Sequence, residues 1–243
     1  METFKLSSKM EIVDLALYLP KHKALVIGDI HLGYEDALAA QGIMLPKTQY
    51  KRTIGRAERV FKTLGNEKKQ VEEIILNGDI KHEFGRISEQ EWQDALNFLA
   101  FLEKHCSKLT IIKGNHDKII EPIATKRGHT VETQRALDDV LVCHGDVVPV
   151  NAQAFKTIVI GDAHPAVTIS DGIASEKEKC FLVGKYGKSD LICMPSFNVM
   201  TEGTDVLEEK FRSPFLQQDL GEFEVYVASE EETMHFGKVK GLF

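Results

Sequence analysis

Long apolar runs are missing from this sequence: no stretch of its 243 residues approaches the ~20 apolar residues needed to cross a bilayer. The opening residues Met1-Glu2-Thr3-Phe4-Lys5 carry no basic segment followed by an apolar one, so a cytoplasmic protein without a membrane partner is expected. Cysteine is scarce and scattered. Cys106, Cys143, Cys180 and Cys193 form no Cys-x-x-Cys pair and no regular spacing, which argues for reduced, mostly buried thiols and against a disulfide framework. No tract of Pro, Ser or Gly offers a linker and no internal repeat is visible, so a single domain over residues 1–243 is expected. Excess positive charge is absent too. A formal net charge of −7 disfavours a general cationic coat for gripping duplex nucleic acid, while leaving room for a local basic groove.

What the sequence does have is one device used five times, a short apolar run rich in β-branched residues that opens into a polar loop. Ala24-Leu25-Val26-Ile27 leads into Gly28-Asp29-Ile30-His31, and Glu73-Ile74-Ile75-Leu76 into Asn77-Gly78-Asp79. Leu109-Thr110-Ile111-Ile112 reaches Lys113-Gly114-Asn115-His116-Asp117. Val140 to Cys143 opens into His144-Gly145-Asp146, and Thr157 to Ile160 into Gly161-Asp162-Ala163-His164-Pro165. Open α/β sheets place their chemistry at such strand ends. Helices fit between the strands: Tyr50, Ile54, Ala57, Phe61 and Leu64 recur at helical spacing, as do Trp92, Leu96, Leu99 and Leu102, with Ser88 and Glu91 placed for a capping box. From Thr168 onward short strands take over. Cys180–Val183 and Leu191–Met194 flank a turn, and 222–228 alternates, which reads as hairpins forming a second sheet.

Asp, Asn and His at strand ends form a ligand set for a divalent cation, which compensates polarity that would otherwise be costly to bury. In an extended chain Asp29 and His31 would project to the same side with Ile30 turned to the core. A carboxylate such as that of Asp79 has two oxygens and can bridge ions ~3.5–4 Å apart. Gly28, Gly78, Gly114 and Gly161 permit tight turns and close backbone approach beside the ligands. Each loop alone has an ordinary reading. Gly78-Asp79 suits a turn, His144 a hydrogen-bonded core histidine, and Asp162 to Pro165 a capped turn. Their joint occurrence in one order, always after a strand, is what ordinary turns explain poorly.

In that order the residues resemble the calcineurin-like metallophosphoesterase pattern, Asp-x-His, Gly-Asp, Gly-Asn-His-Asp or Glu, a lone His, then Gly-His-x-His, over Ala24 to Pro165. Gly42-Ile43-Met44-Leu45-Pro46, Gly78-Asp79-Ile80-Lys81-His82-Glu83-Phe84-Gly85, Met194-Pro195-Ser196-Phe197-Asn198 and Ser213-Pro214-Phe215-Leu216 look more particularly like the DNA-ligase-associated phosphoesterases and their archaeal SbcD-related cousins. The resemblance implies a four-layer α/β/β/α sandwich of two mixed sheets flanked by helices. It also implies two divalent cations, manganese ahead of magnesium, iron, zinc or nickel. One would be held by Asp29, His31, Asp79 and His164, the other by Asp79, Asn115, His144 and position 162. Asp162 departs from the pattern, which has histidine there; a carboxylate still ligates and favours a harder ion. His82 also departs, and stands either beside the substrate or simply on the surface.

The expected activity is that of a metal-dependent phosphoesterase, a phosphodiesterase or nuclease-type hydrolase in which a hydroxide shared by two cations attacks phosphorus. His116 would protonate or stabilise the leaving alkoxide, with Asp117 orienting its ring. A phosphomonoesterase or protein phosphatase, and a metal-binding scaffold with little turnover, stay open beside it. The substrate would be a nucleic acid, with DNA repair as one setting, or a small phosphodiester. Arg52, Arg56 and Arg59 align on one helix face, either to follow a phosphate backbone or as a solvated surface; Lys185 and Lys188 carry the same two readings. Phe236, Leu242 and Phe243 would serve either a homodimer contact or packing against the second sheet.

Overall fold

A computed structural model of the chain describes residues 2–82, 89–117, 120–170, 175–208 and 210–242. Ser88 of the expected capping box, residues 83–85 of the quoted motif and Phe243 lie outside them. The first sheet runs in chain order through Phe4–Lys5 (β1), Glu11–Val13 (β2), Ala16–Leu19 (β3), Ala24–Ile27 (β4), Glu73–Asn77 (β5), Lys108–Ile112 (β6) and Val131–Glu132 (β7). Strands β1 to β4 pair antiparallel and β4 to β7 parallel. Parallel neighbours need crossovers, and helices supply them. Tyr34–Ala40 (α1) and Gln49–Asn66 (α2) join β4 to β5, Glu89–Leu102 (α3) joins β5 to β6, and Ile120–Lys126 (α4) joins β6 to β7. The apolar spacings around Tyr50 and Trp92 thus identify α2 and α3. The Glu35 carboxylate accepts the amides of Thr48 and Gln49 and so caps the start of α2.

The second sheet contains Gln134–Leu137 (β8), Val140–Cys143 (β9), Thr157–Ile160 (β10), Pro165–Ser170 (β11), Ser175–Tyr186 (β12), Ser189–Cys193 (β13), Thr204–Asp205 (β14), Glu224–Ala228 (β15) and Thr233–Lys238 (β16). Strands β9, β10 and β13 are parallel to one another, and the hairpin β12–β13 joins this same sheet. The five similar strands are therefore divided three to two between the sheets.

The apolar runs are unbroken because both faces of these strands are covered. Val142, Val159 and Ile192 face the core shared with the first sheet, while their neighbours Leu141, Cys143, Ile158, Ile160, Leu191 and Cys193 face a second core on the far side. Ala152 and Phe215, on single 3-10 turns over Ala152–Ala154 and Pro214–Leu216, cover that far face, and Phe236 and Leu242 pack against the same cluster. The four cysteines are free, three of them buried. No helix among the described residues is long and apolar enough to cross a membrane.

Candidate metal centre

The carboxyl ends of β4, β5, β6, β9 and β10 meet in the seam between the two sheets. The loops continue the pairing of their strands: the His31 amide donates to the Asp79 carbonyl at 2.8 Å and the Gly161 amide to the His144 carbonyl at 2.7 Å. Asp29 and His31 nevertheless do not sit in extended backbone as the alternation argument supposed. Their φ angles are +56° and +50°, and Asp162 and His164 stand at +60° and +48°. Gly28-Asp29-Ile30-His31 and Gly161-Asp162-Ala163-His164 are thus one local repeat, present on each sheet and invisible as a long-range one. In both, the residue between the two ligands is buried. Asp79 shares the left-handed conformation at φ +47°.

Left-handed backbone costs a residue with a Cβ ~1 kcal/mol or more. Five such positions are held because the strands behind them are fixed: Ile74, Ile75 and Leu76 of β5 alone are fully buried, each worth ~1.5–3 kcal/mol. Two glycines give the side chains room. At Gly78, φ is +81° and a Cβ would lie 2.2 Å from Nδ1 of His144; at Gly161 it would lie 2.4 Å from Oδ2 of Asp29.

Three overlapping groups of ligand atoms result, an all-histidine one of His31, His82 and His116 and two that contain carboxylates. Asp29, His31 and His164 form one, with Nε2 of His164 3.3 Å from both Nε2 of His31 and Oδ1 of Asp29. Asp29, Asp79 and His144 form the other. Nε2 of His144 faces Oδ2 of Asp79 at 3.5 Å and Oδ1 of Asp162 at 3.6 Å, too far for a good hydrogen bond to either. Oδ2 of Asp79 is 3.7 Å from Nε2 of His31, so this carboxylate stands between the groups, as a bridging ligand must. Asn115 is exposed and lines the same cavity as His144.

The donor set suits divalent cations. The Asn77 carbonyl accepts from Nδ1 of His144 at 3.1 Å, so Nδ1 carries the proton and the Nε2 lone pair is left for an ion. Nε2 of His144 is buried with no hydrogen-bond partner. Three carboxylates, Asp29, Asp79 and Asp162, crowd the same buried space and call for positive charge. Burial pushes Asp162 up to about 6, the charges of Asp29 and Asp79 adding to it against the pull of His144. Burial and the neighbouring His164 hold His31 well below the ordinary histidine range, so it stays neutral, as a ligand should. Burial alone would raise Asp79 and lower His144. In the cation-free chain their proximity reverses both, so that each acts as counter-charge to the other, a role that a bound cation would take over from the Nε2 proton of His144.

His116 stands over this cluster, its ring centroid 5.0 Å from that of His31. Asp117 does not orient it. The Asp117 carboxylate accepts the amides of Ile80, Lys81 and Gly114 and so locks the loops after β5 and β6 together. The His116 ring is held instead by the His82 carbonyl, 2.6 Å from Nδ1. His82 itself lies inside the site: its ring stacks on His116 at 5.7 Å and meets Tyr34 edge-on at 4.7 Å.

A sixth strand end also reaches the site. After β13 the chain runs Met194-Pro195-Ser196-Phe197-Asn198, where Ser196 Oγ donates to the Asp29 carbonyl at 2.6 Å, the Asn198 amide to the same oxygen at 3.1 Å, and the Phe197 amide to the Gly28 carbonyl at 3.0 Å. Nζ of Lys179 holds this segment through the carbonyls of Ser196 and Asn198. The Gln49 amide adds a bond to the His31 carbonyl at 2.7 Å. The signal was present in the sequence, since Leu191-Ile192-Cys193 is another apolar run opening into polar residues, but Ser and Asn there are not metal-ligand types. Of the three arginines of α2, Arg56 is tied to Asp14 at 2.9 Å and Arg59 to Glu230, while Arg52 is exposed beside the Met200 sulfur, so the three do not act as one row.

The family profile of the calcineurin-like phosphoesterases matches residues 22–160, more than half of the chain. The chain belongs to that family. It is accordingly a metal-dependent phosphoesterase with candidate ligands for divalent cations in place. Among solved structures, the Pseudomonas putida nuclease MPE is similar in fold, with a TM-score of 0.65 at 16% identity over 97% of this chain and 99% of that one. Two looser likenesses are YfcE, a phosphoesterase from E. coli (TM-score 0.40, 12% identity, 89% of this chain and 97% of that one), and a single mutant of Vps29 from Entamoeba histolytica (0.36, 13%, 90% and 94%). Among curated proteins no sequence matches.

Proposed function

We propose that this phosphoesterase hydrolyses phosphodiesters, with two divalent cations, manganese foremost, held by Asp29, His31, Asp79, His144, Asp162 and His164 and approached by Asn115. One observation carries the reading. The ligand groups lie between two cavities, one of about 720 Å³ bordered by Asn115 and His144, the other of about 550 Å³ bordered by His31, His82, His116 and His164. Both sizes are usual for ligand sites. A phosphomonoester has one organic arm and needs one cavity; a diester has two arms and would use both. The fold shared with the Pseudomonas putida nuclease is one that accommodates such a substrate.

The bound cations would supply an acidified water and neutralise charge on the phosphoryl oxygens. The chain's own groups do the rest. The His82 carbonyl can only accept, so Nδ1 of His116 carries a proton and Nε2 faces the cluster, 3.9 Å from Oδ2 of Asp79. Protonated at Nε2, His116 is placed to give that proton to the departing alkoxide. Ser196, Asn198 and Gln49 keep the Asp29 to His31 loop from shifting as charge moves.

Purified protein with manganese, assayed on bis-p-nitrophenyl phosphate and p-nitrophenyl phosphate, tests this. Faster hydrolysis of the diester is expected. Preference for the monoester would favour a phosphomonoesterase, and turnover of neither despite ion uptake would favour a metal-binding scaffold.

A further inference from the structure

The 720 Å³ cavity opens from the cation cluster on the Asn115 and His144 side, and its outer walls are of a particular kind. Val147 and Val150 stand on its rim, 66% and fully exposed, with Pro149 between them in the lining. Thr133, Gln134 and Asn151 bring a hydroxyl and two amides to the same space. Positive charge is almost lacking. Lys113 lines the cavity, but its ammonium is paired with Glu121 at 2.9 Å, and the acidic Asp146 lines it too. Such walls cannot follow a row of phosphates, and Asp146 would repel a second one. They suit an uncharged flat ring gripped by aliphatic side chains, with hydrogen-bonding groups along its edge.

We infer that this cavity binds the nucleobase of one arm of the substrate, so that the protein reads a single nucleoside next to the scissile phosphate. The inference rests on the phosphodiester reading, and it names Val147 and Val150 as the pair that sets the preference. A nucleoside arm is supplied either by a free small phosphodiester or by the end of a strand. A dinucleotide cleaved as fast as a longer oligothymidylate assigns the cavity to the first, and faster cleavage of the oligomer assigns it to the second.

Binding reads the base contact without turnover. Manganese-loaded protein titrated calorimetrically should take thymidine 5′-monophosphate about tenfold more tightly than ribose 5-phosphate, which lacks the base. Val147→Ser and Val150→Ser, which remove the aliphatic contact without adding charge, should each erase most of that difference and leave ribose 5-phosphate binding as it was. Both side chains are exposed, so neither substitution removes core packing. Equal affinity for the two ligands in the unaltered protein, or a preference that survives both substitutions, would overturn the inference. Hydrolysis of bis-p-nitrophenyl phosphate, followed in parallel, shows separately whether the phosphodiester reading has failed.

Discussion

The backbone amide of Asp162 donates to both carboxylate oxygens of Asp29, each at 3.2 Å, across the seam between the two sheets. Each residue opens a Gly-Asp-x-His loop with left-handed backbone at its Asp and its His, so the two halves of the site hold each other in place. The Asp29 carboxylate is thereby fixed before any cation arrives, an arrangement that limits reorganisation on binding.

That contact makes Gly161 intolerant. In Gly161→Ala the new methyl would meet Asp29 Oδ2 at 2.4 Å, so loss of ~1–3 kcal/mol of stability and weaker cation uptake are expected. Gly65→Ala is the control, since no atom lies within 4 Å of a Cβ there, and in α2 it should gain ~0.5 kcal/mol. Thermal unfolding of the two variants side by side checks the contrast.

Asp162→Asn should separate stability from ion binding. The Asp162 pKa is raised to about 6 in the folded chain, above its ordinary 3.8. The folded state then keeps its proton longer, stability falls as pH rises from about 4 to 6, and the cost is fully present at pH 7. Asparagine tolerates the left-handed backbone and carries no charge. The cation-free variant should be more stable at pH 7 by ~1 kcal/mol or more, while affinity for the ion beside His144 falls ~10–100-fold. Calorimetric manganese titration and chemical unfolding give the two halves; a variant less stable and unchanged in affinity would refute both.

His116→Ala should reduce turnover ~10²–10⁴-fold with cation content unchanged. The ring bonds to a backbone carbonyl and, although it groups with His31 and His82, it lies outside the two carboxylate-containing ligand groups. Kinetics alongside elemental analysis decide it, and loss of a bound ion would move His116 from proton donor to ligand.

Lys179 gives a prediction in pH. Burial lowers its pKa from 10.5 to about 7, with the nearby Arg56 charge helping. Between those values the unfolded chain binds the extra proton, so this residue makes stability rise with pH from about 7 toward 10.5, with the penalty complete below 7. The stability of the unaltered protein minus that of Lys179→Met should therefore climb by up to ~1.4 kcal/mol per pH unit across that window. A flat difference in urea unfolding would contradict the buried, weakly basic lysine.

The convergence of the candidate residues was legible in the sequence because side chains able to hold a metal are few in type and their order survives folding. Asp29, His31, Asp79, His144, Asp162 and His164 do converge. Their backbone was not legible, since an Asp-x-His tripeptide in extended chain also directs both side chains one way, and only the φ angles tell the two apart. Division of five similar strands between two sheets was hidden for a related reason: β5 and β10 are buried on both faces, and burial on both faces erases alternation. The short helices α1 and α4, seven residues each, hold too few turns for an apolar period to emerge. Ser196 and Lys179 act through backbone carbonyls, a role open to almost any donor, which leaves no pattern to read.

The central claim is tested most directly by diffraction at the manganese absorption edge from crystals of protein loaded with that ion, with elemental analysis of the same sample. Two anomalous peaks per chain are expected, one among Asp29, His31 and His164 and one among Asp79, His144 and Asp162, with Asp79 touching both. Peaks elsewhere, or these side chains turned apart with no ion between them, would contradict it.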